Sequence, residues 1–259
     1  MNTEDPRVLE QTAQSFLVSE KYLEAFGLYQ QAANIYKRRK NHKQAAFCFA
    51  AAASCWSKKS GEKTFYNAAL SYEAAAAQAE VSADLEYAAM LYKYATINYE
   101  RDREFINFSD CFFRSKECYR RFLRYRLLNP KKIQPIMPTR EQRGIKGACK
   151  CVLLWIGLEL SNLIWGHGER PLRTISTGML VVLLSAIAFT QGELMNNLSA
   201  FRPNFLEALY FSVITFTTVG YGDMTPLGLS KLVVTFEALC GIFIIPLFVI
   251  GLSRRYLRV

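Results

Sequence analysis

The chain has 259 residues, which is long enough for two domains. Lysine and arginine outnumber aspartate and glutamate by 32 to 22, so the formal net charge is +10. We find no Gly-rich phosphate loop, no paired carboxylates beside a histidine and no nucleophile beside a base, which argues against an enzyme. Residues 1–20 lack an apolar core and contain acids, so no secretory signal is expected.

The first 128 residues are rich in alanine, aromatic and charged side chains that recur at helical spacing. Five reference aromatic residues stand 20, 23, 20 and 20 positions apart, or one helix and one turn per step: Tyr29, Phe49, Tyr72, Tyr92 and Phe112. Turn residues at positions 41–42, 60–61 and 82–84 separate the runs. Small side chains that face aromatic ones between antiparallel helices predict a solenoid of helical hairpins.

This pattern resembles tetratricopeptide-type repeats, and more closely the longer hairpins of the SNAP adaptor proteins of membrane fusion. The full tetratricopeptide signature of Trp, Leu-Gly and Pro positions is missing. The resemblance implies a surface that binds a peptide or a partner protein. An alternative is that the solenoid only assembles or stabilises an oligomer.

The seven cysteines show no metal-ligand spacing, and the chain has only two histidines. Four of them form two pairs that lie seven residues apart, so each pair shares one helix face: Cys48 with Cys55, and Cys111 with Cys118. We expect buried, reduced thiols in a cytosolic helical domain.

A basic connector is expected at residues 129–173. Asn129 and three prolines break any continuous helix, which makes this the best domain boundary: Pro130, Pro135 and Pro138. From residue 114 to residue 150 there are twelve lysines and arginines against two glutamates. We favour a juxtamembrane segment that faces anionic lipids of the cytoplasmic leaflet over a segment that binds nucleic acid.

Residues 145–165 resume a helical apolar pattern, which Lys150 and Glu159 interrupt. A membrane span here would be barely long enough, and it would place basic residues of the connector outside the cell. We therefore favour a cytoplasmic or interfacial amphipathic helix, which can transmit movement of the solenoid to the next segment. We expect His167 to be a turn residue rather than a pH sensor.

Two long apolar stretches follow the connector. Residues 174–192 carry no charge and come after Arg170 and Arg173, so this span starts on the cytoplasmic side. The second span covers residues 232–253 and contains one charge, Glu237. Basic residues end the chain on the cytoplasmic side: Arg254, Arg255 and Arg258. The pattern predicts a multi-pass protein of the cell membrane with both termini in the cytoplasm.

A short helix and a glycine-spaced segment lie between the two spans. Pro203 suits the start of a helix over residues 204–216. Residues 218–223 read Thr-Val-Gly-Tyr-Gly-Asp and are called the TVGYGD segment below. A strip of backbone whose successive carbonyls point the same way needs unusual φ and ψ at alternate positions, which glycine reaches at little cost.

The TVGYGD segment resembles the selectivity filter of potassium channels, and the resemblance covers residues 171–258. It implies that K⁺ is the permeant ion and that no cofactor is needed. Rings of backbone carbonyls would bind the ion, and they would come from Thr218, Val219, Gly220 and Tyr221. The Thr218 hydroxyl would close the inner end of the filter, and Gly222 is its second glycine. One chain has one such strip, so the function implies a homotetramer.

Several two-span channels have a glutamate in the pore helix that bonds to the aspartate after the filter. That position here is Ile214, so Asp223 needs another partner. By resemblance Tyr210 or Phe211 takes the aromatic position beside the filter, and Tyr210 can donate a hydrogen bond. We count Thr217 with Tyr210 and Asp223 among the residues that support the filter.

Three further residues are candidates for support or gating. We expect Glu237 behind the filter, bonded to the pore-helix region, with a snorkelling or simply protonated side chain as the alternatives. Gly241 lies where the inner helix of these channels often has a hinge. Pro246 removes a backbone hydrogen bond and should bend the helix, which would open or shut the intracellular mouth.

The predicted fold is all-α and has three parts. These are a helical-hairpin solenoid (1–128), a basic connector with an amphipathic interfacial helix (129–173), and a two-span tetrameric pore with a re-entrant pore helix and filter loop (174–259). The predicted function is passive, potassium-selective conduction, with the solenoid serving gating, assembly or partner binding. The alternative is a membrane-anchored helical-repeat adaptor with a non-conducting pore.

Overall fold

The computed structural model describes residues 5–59, 64–129, 145–196 and 199–256. The chain is nearly all α-helical, as predicted. It forms two compact units, the first made of residues up to Glu159 and the second of residues 160–258.

Six helices make up most of the first unit, and each packs mainly against the next one along the chain. Such nearest-neighbour packing is the geometry of a helical stack. Their bounds are α1 (Pro6–Val18), α2 (Tyr22–Arg38), α3 (His42–Lys58), α4 (Thr64–Val81), α5 (Leu85–Arg101) and α6 (Phe105–Leu128). Helix α1 was not predicted.

The core of this stack places alanines against aromatic rings. Ala45, Ala52 and Ala53 of α3 are fully buried, and so are Tyr92 and Tyr99 of α5. Alanine lets neighbouring helices approach closely, and the rings then fill the space between them. The small-against-aromatic spacing of the sequence therefore corresponds to the packed faces of the helices.

Four turns between these helices share one backbone motif that the sequence did not predict. Each has a non-glycine residue at positive φ: Glu20, Lys40, Ala83 and Arg103. The next residue then donates its N–H to a carbonyl five residues back, as Asn41 does to Tyr36 at 2.9 Å. This Schellman bond caps each helix without a glycine. The predicted turn at residues 60–61 lies outside the described residues.

The four paired cysteines are buried, as predicted. Burial raises the pKa of Cys48 to about 12 and that of Cys55 to about 11. These thiols are therefore protonated near neutral pH and poorly reactive. No cluster of three metal-ligating side chains occurs in the part of the chain that the structure describes.

Helix α7 (Ile145–Trp165) begins in the first unit. Its Glu159 accepts a hydrogen bond from Arg120 of α6, and the same guanidinium donates to Glu117. Three described helices are long and apolar enough to cross a membrane: Cys149–Gly168, Pro171–Gln191 and Ser230–Arg255. The last two are the predicted spans. The predicted helix breaks at Pro130, Pro135 and Pro138 lie outside the described residues.

The second unit is built around two long helices, α8 (Pro171–Gln191) and α10 (Ser230–Tyr256). A third, shorter helix, α9 (Phe205–Phe216), packs against both. Asn204 caps α9 through a capping box with Glu207, which satisfies free N–H groups at its start.

A small antiparallel sheet, which the sequence did not predict, joins the connections on either side of α9. Its strand order is β2-β1-β3, with β1 (Leu194–Asn196), β2 (Ser199–Phe201) and β3 (Met224–Pro226). Leu194 pairs with Phe201 on one side and Pro226 on the other. The sheet thus ties the chain after α8 to the chain after the TVGYGD segment.

A tight turn precedes α8. Gly166, His167 and Gly168 all have positive φ, and the His167 side chain is buried with Nδ1 3.0 Å from the Ser161 hydroxyl. The Arg255 guanidinium of α10 donates to the carbonyl of Glu169 at 3.0 Å. His167 therefore occupies the turn as predicted, and the turn is attached to the last part of α10.

Candidate functional site

The TVGYGD segment has left-handed backbone at every second residue. The φ angles are +59° at Thr218, +49° at Gly220 and +79° at Gly222. A Cβ added at either glycine would meet no atom within 4 Å. Space alone therefore does not require glycine at these two positions, whereas the backbone conformation favours it. Thr218 adopts the same conformation with a side chain, which the sequence did not indicate.

The segment is attached to the last turn of α9. The N–H groups of Val219 and Gly220 both donate to the carbonyl of Ile214, at 2.9 and 3.1 Å. The Thr217 hydroxyl donates to the carbonyl of Val213 at 2.7 Å. The Ile214 carbonyl, which the helix end leaves unpaired, is thereby satisfied, and the position of α9 determines where the segment starts.

Asp223 has a partner in α9. The Tyr210 hydroxyl donates to Asp223 Oδ2 at 3.0 Å, which joins the end of the segment to the middle of the helix. Phe211, the other aromatic candidate, is instead buried and packs edge-on against Phe189, with ring centroids 5.0 Å apart. Ile214 lies in the same apolar cluster as Phe211.

Glu237 of α10 is fully buried. Its Oε1 atom lies within hydrogen-bonding distance of the Ser212 hydroxyl of α9. The same hydroxyl oxygen is 2.8 Å from the carbonyl oxygen of Val182 in α8. Three helices therefore meet at one serine, which the sequence did not identify as a functional residue.

Gly241 lies where the backbone of α10 comes close to the end of α9. A Cβ at this position would lie 2.0 Å from the carbonyl oxygen of Phe216, the last residue of α9. Pro246 lies inside α10, which continues as one helix to Tyr256. Close packing against Phe216 thus explains why residue 241 is a glycine. A hinge at Gly241 or Pro246 remains a prediction.

The second unit therefore contains two apolar helices of membrane-spanning length and a capped short helix packed against both. It also contains the TVGYGD segment, whose backbone is left-handed at every second residue. Together they define a pore domain of the ion-channel type. Residues 176–257 match the family model described as "Ion channel".

Two curated proteins are similar to this chain. One is the inward rectifier potassium channel Kirbac3.1 of Paramagnetospirillum magnetotacticum, 37% identical over 116 residues, or 40% of this chain and 38% of that protein. The other is the two pore potassium channel b of Oryza sativa subsp. japonica, 44% identical over 69 residues, or 25% and 19%. The chain thus spans less than two thirds of either relative. No solved structure matches it significantly.

Proposed function

We propose that this protein is a potassium-selective channel that conducts passively through a homotetrameric pore. The observation that carries the proposal is the TVGYGD segment, with left-handed backbone at Thr218, Gly220 and Gly222, placed directly after a short helix between two apolar helices. That both curated relatives are potassium channels supports the choice of ion.

Four copies of the segment around one axis would stack rings of carbonyl oxygens from residues 218–221. Such rings replace the hydration shell of K⁺ one layer at a time. Each chain carries one segment, so a closed fourfold ring is the smallest assembly that forms the cage. The segment starts at the C-terminal end of α9, where the helix dipole favours a cation.

The contacts around the segment suit a support role for three residues. Thr217 and Tyr210 each donate a hydrogen bond, the first to the carbonyl of Val213 and the second to Asp223. Removing either hydrogen bond should destabilise the conducting conformation of the TVGYGD segment.

We place α7 at the cytoplasmic surface of the membrane rather than across it. Glu159 lies near the middle of the apolar stretch Cys149–Gly168 and is bonded to Arg120 of α6. If α7 crossed the bilayer with this pair intact, α6 would enter it with further arginines: Arg121, Arg124 and Arg126. Each charge at the bilayer centre costs about 3 kcal/mol.

An interfacial α7 agrees with its surface. Leu153, Leu160 and Leu163 are exposed in the single chain and suit contact with acyl chains. The basic residues of the connector would then face anionic lipid, and both termini would lie in the cytoplasm of a cell-membrane protein. The helices α1–α6 would gate or assemble the pore, or bind a protein or peptide partner.

The test is ion flux through purified protein in liposomes. We expect K⁺ flux well above Na⁺ flux, lost in Gly220→Ala because the φ of +49° strains any residue with a Cβ. Gly157→Ala is the matched control, since that helical glycine has no neighbour within 4 Å of an added Cβ. Equal flux of both ions would refute the proposal. Wild-type protein that assembles without conducting would favour the adaptor alternative.

A further inference from the structure

Glu237, Ser212 and Val182 form a cluster with two hydrogen-bond contacts, and the Ser212 hydroxyl can supply the hydrogen for only one of them. The Ser212 oxygen lies within hydrogen-bonding distance of two acceptors, the carbonyl of Val182 and Oε1 of Glu237. A serine hydroxyl has one hydrogen and can donate it to only one of them. The carbonyl has no hydrogen to offer. The second bond therefore needs a hydrogen on the carboxyl group.

The surroundings of Glu237 also disfavour a negative charge. The side chain is fully buried, and Oε2 has no hydrogen-bond partner among the described residues. A buried carboxylate without a partner costs far more than a buried neutral acid, whose second oxygen is an ordinary carbonyl.

No described cation compensates such a charge. The ion pairs of the described residues do not include Glu237. The spanning part of α8 has no charged residue, and the one charge of α9, Glu207, belongs to the capping box. The polar groups that face Glu237 are hydroxyls and a thiol: Ser185, Ser212 and Cys240.

We propose that Glu237 is a positioning residue held as a neutral carboxylic acid. It donates its proton to the Ser212 oxygen, and Ser212 donates its own hydrogen to the carbonyl of Val182. This chain of two hydrogen bonds connects α10, α9 and α8. Because α9 carries the TVGYGD segment on its last turn, the chain fixes the rotation of that helix and, on the function proposed above, the geometry of the filter.

The first test is infrared difference spectroscopy of wild-type protein against E237Q at neutral pH. The neutral acid gives a carbonyl stretch above the amide bands, which shifts in D₂O and is absent from E237Q. This signal does not depend on conduction. It therefore stands even if the wild type proves not to conduct, and an absent band overturns the inference without touching the proposed function.

The second test is rescue by the neutral isostere. E237Q keeps a donor of the same shape, so we expect near wild-type K⁺ conductance and thermal stability. E237A and S212A break the chain and should lower the population of the conducting filter roughly tenfold, because the buried polar group that remains loses a hydrogen bond. Ser176→Ala, at an exposed serine of α8, is the control. A loss in E237Q as large as that in E237A would overturn the donor role.

Discussion

Replacing Gly241 by alanine tests whether this glycine serves packing or hinge motion. The added Cβ would lie 2.0 Å from the carbonyl oxygen of Phe216 and 2.9 Å from its carbonyl carbon. Both are backbone atoms, so no side chain can rotate away. To restore ordinary contact, α10 must move about 1.5 Å from the end of α9, and overpacking of this kind costs about 1–3 kcal/mol.

Gly251 on the same helix is the matched control. There an added Cβ would meet its nearest atom at 3.8 Å, which is ordinary contact, and alanine gains about 0.5–1 kcal/mol of helix propensity. Both variants gain this propensity and only G241A is overpacked, so we expect G241A to be about 2 kcal/mol less stable than G251A, or roughly 5 °C lower in the midpoint of thermal unfolding. The assay is thermal unfolding of detergent-solubilised protein with K⁺ flux measured in parallel.

The two outcomes separate the roles. If Gly241 is a hinge without close packing, G241A will match G251A in stability and will change only how often the pore opens. That result would refute the packing argument. A less stable G241A that also loses flux would agree with the contact that the structure shows.

The other predictions concern the filter, the helical stack and the topology. Tyr210→Phe should keep K⁺ selectivity but shorten sustained openings in single-channel records, because Asp223 loses a hydrogen bond that contributes about 1 kcal/mol; unchanged openings would contradict this. Lys40→Gly should slow hydrogen exchange in α2 and α3, since glycine relieves a φ of +57°. Lys43→Gly inside α3 should speed exchange instead, because glycine lowers the stability of a helix by about 1 kcal/mol. Faster exchange in both variants would contradict this. A membrane-impermeant maleimide should label exposed Cys149 only from the cytoplasmic face, with C149S as the control, and labelling from outside would mean that α7 crosses the bilayer.

The pore unit was the most predictable part of the chain. Both spans were found within about three residues of α8 and α10, because uncharged apolar runs of that length have few other stable environments. Gly220 and Gly222 indicated the alternating backbone. Thr218 did not, since a threonine at φ of +59° depends on the bonds at the end of α9 rather than on its own preference.

Contacts that join three helices were beyond prediction from the sequence. Glu237 was expected to bond to the pore-helix region, but its partner Ser212 is an ordinary serine until the rotation of α8, α9 and α10 is known. Gly241 was placed as a hinge by resemblance, and only the distance to Phe216 reveals a packing reason. Asn41 and His42 indicated the turn after α2, but nothing in the sequence marks the positive φ at Lys40 or Arg103.

The reversal potential of purified protein in a planar bilayer, with K⁺ on one side and Na⁺ on the other, tests the central claim most directly. If the carbonyls of residues 218–221 replace the hydration shell of K⁺, the current should reverse far from zero, toward the K⁺ equilibrium potential. A reversal at zero, with both ions carrying equal current, would contradict a filter built from this segment.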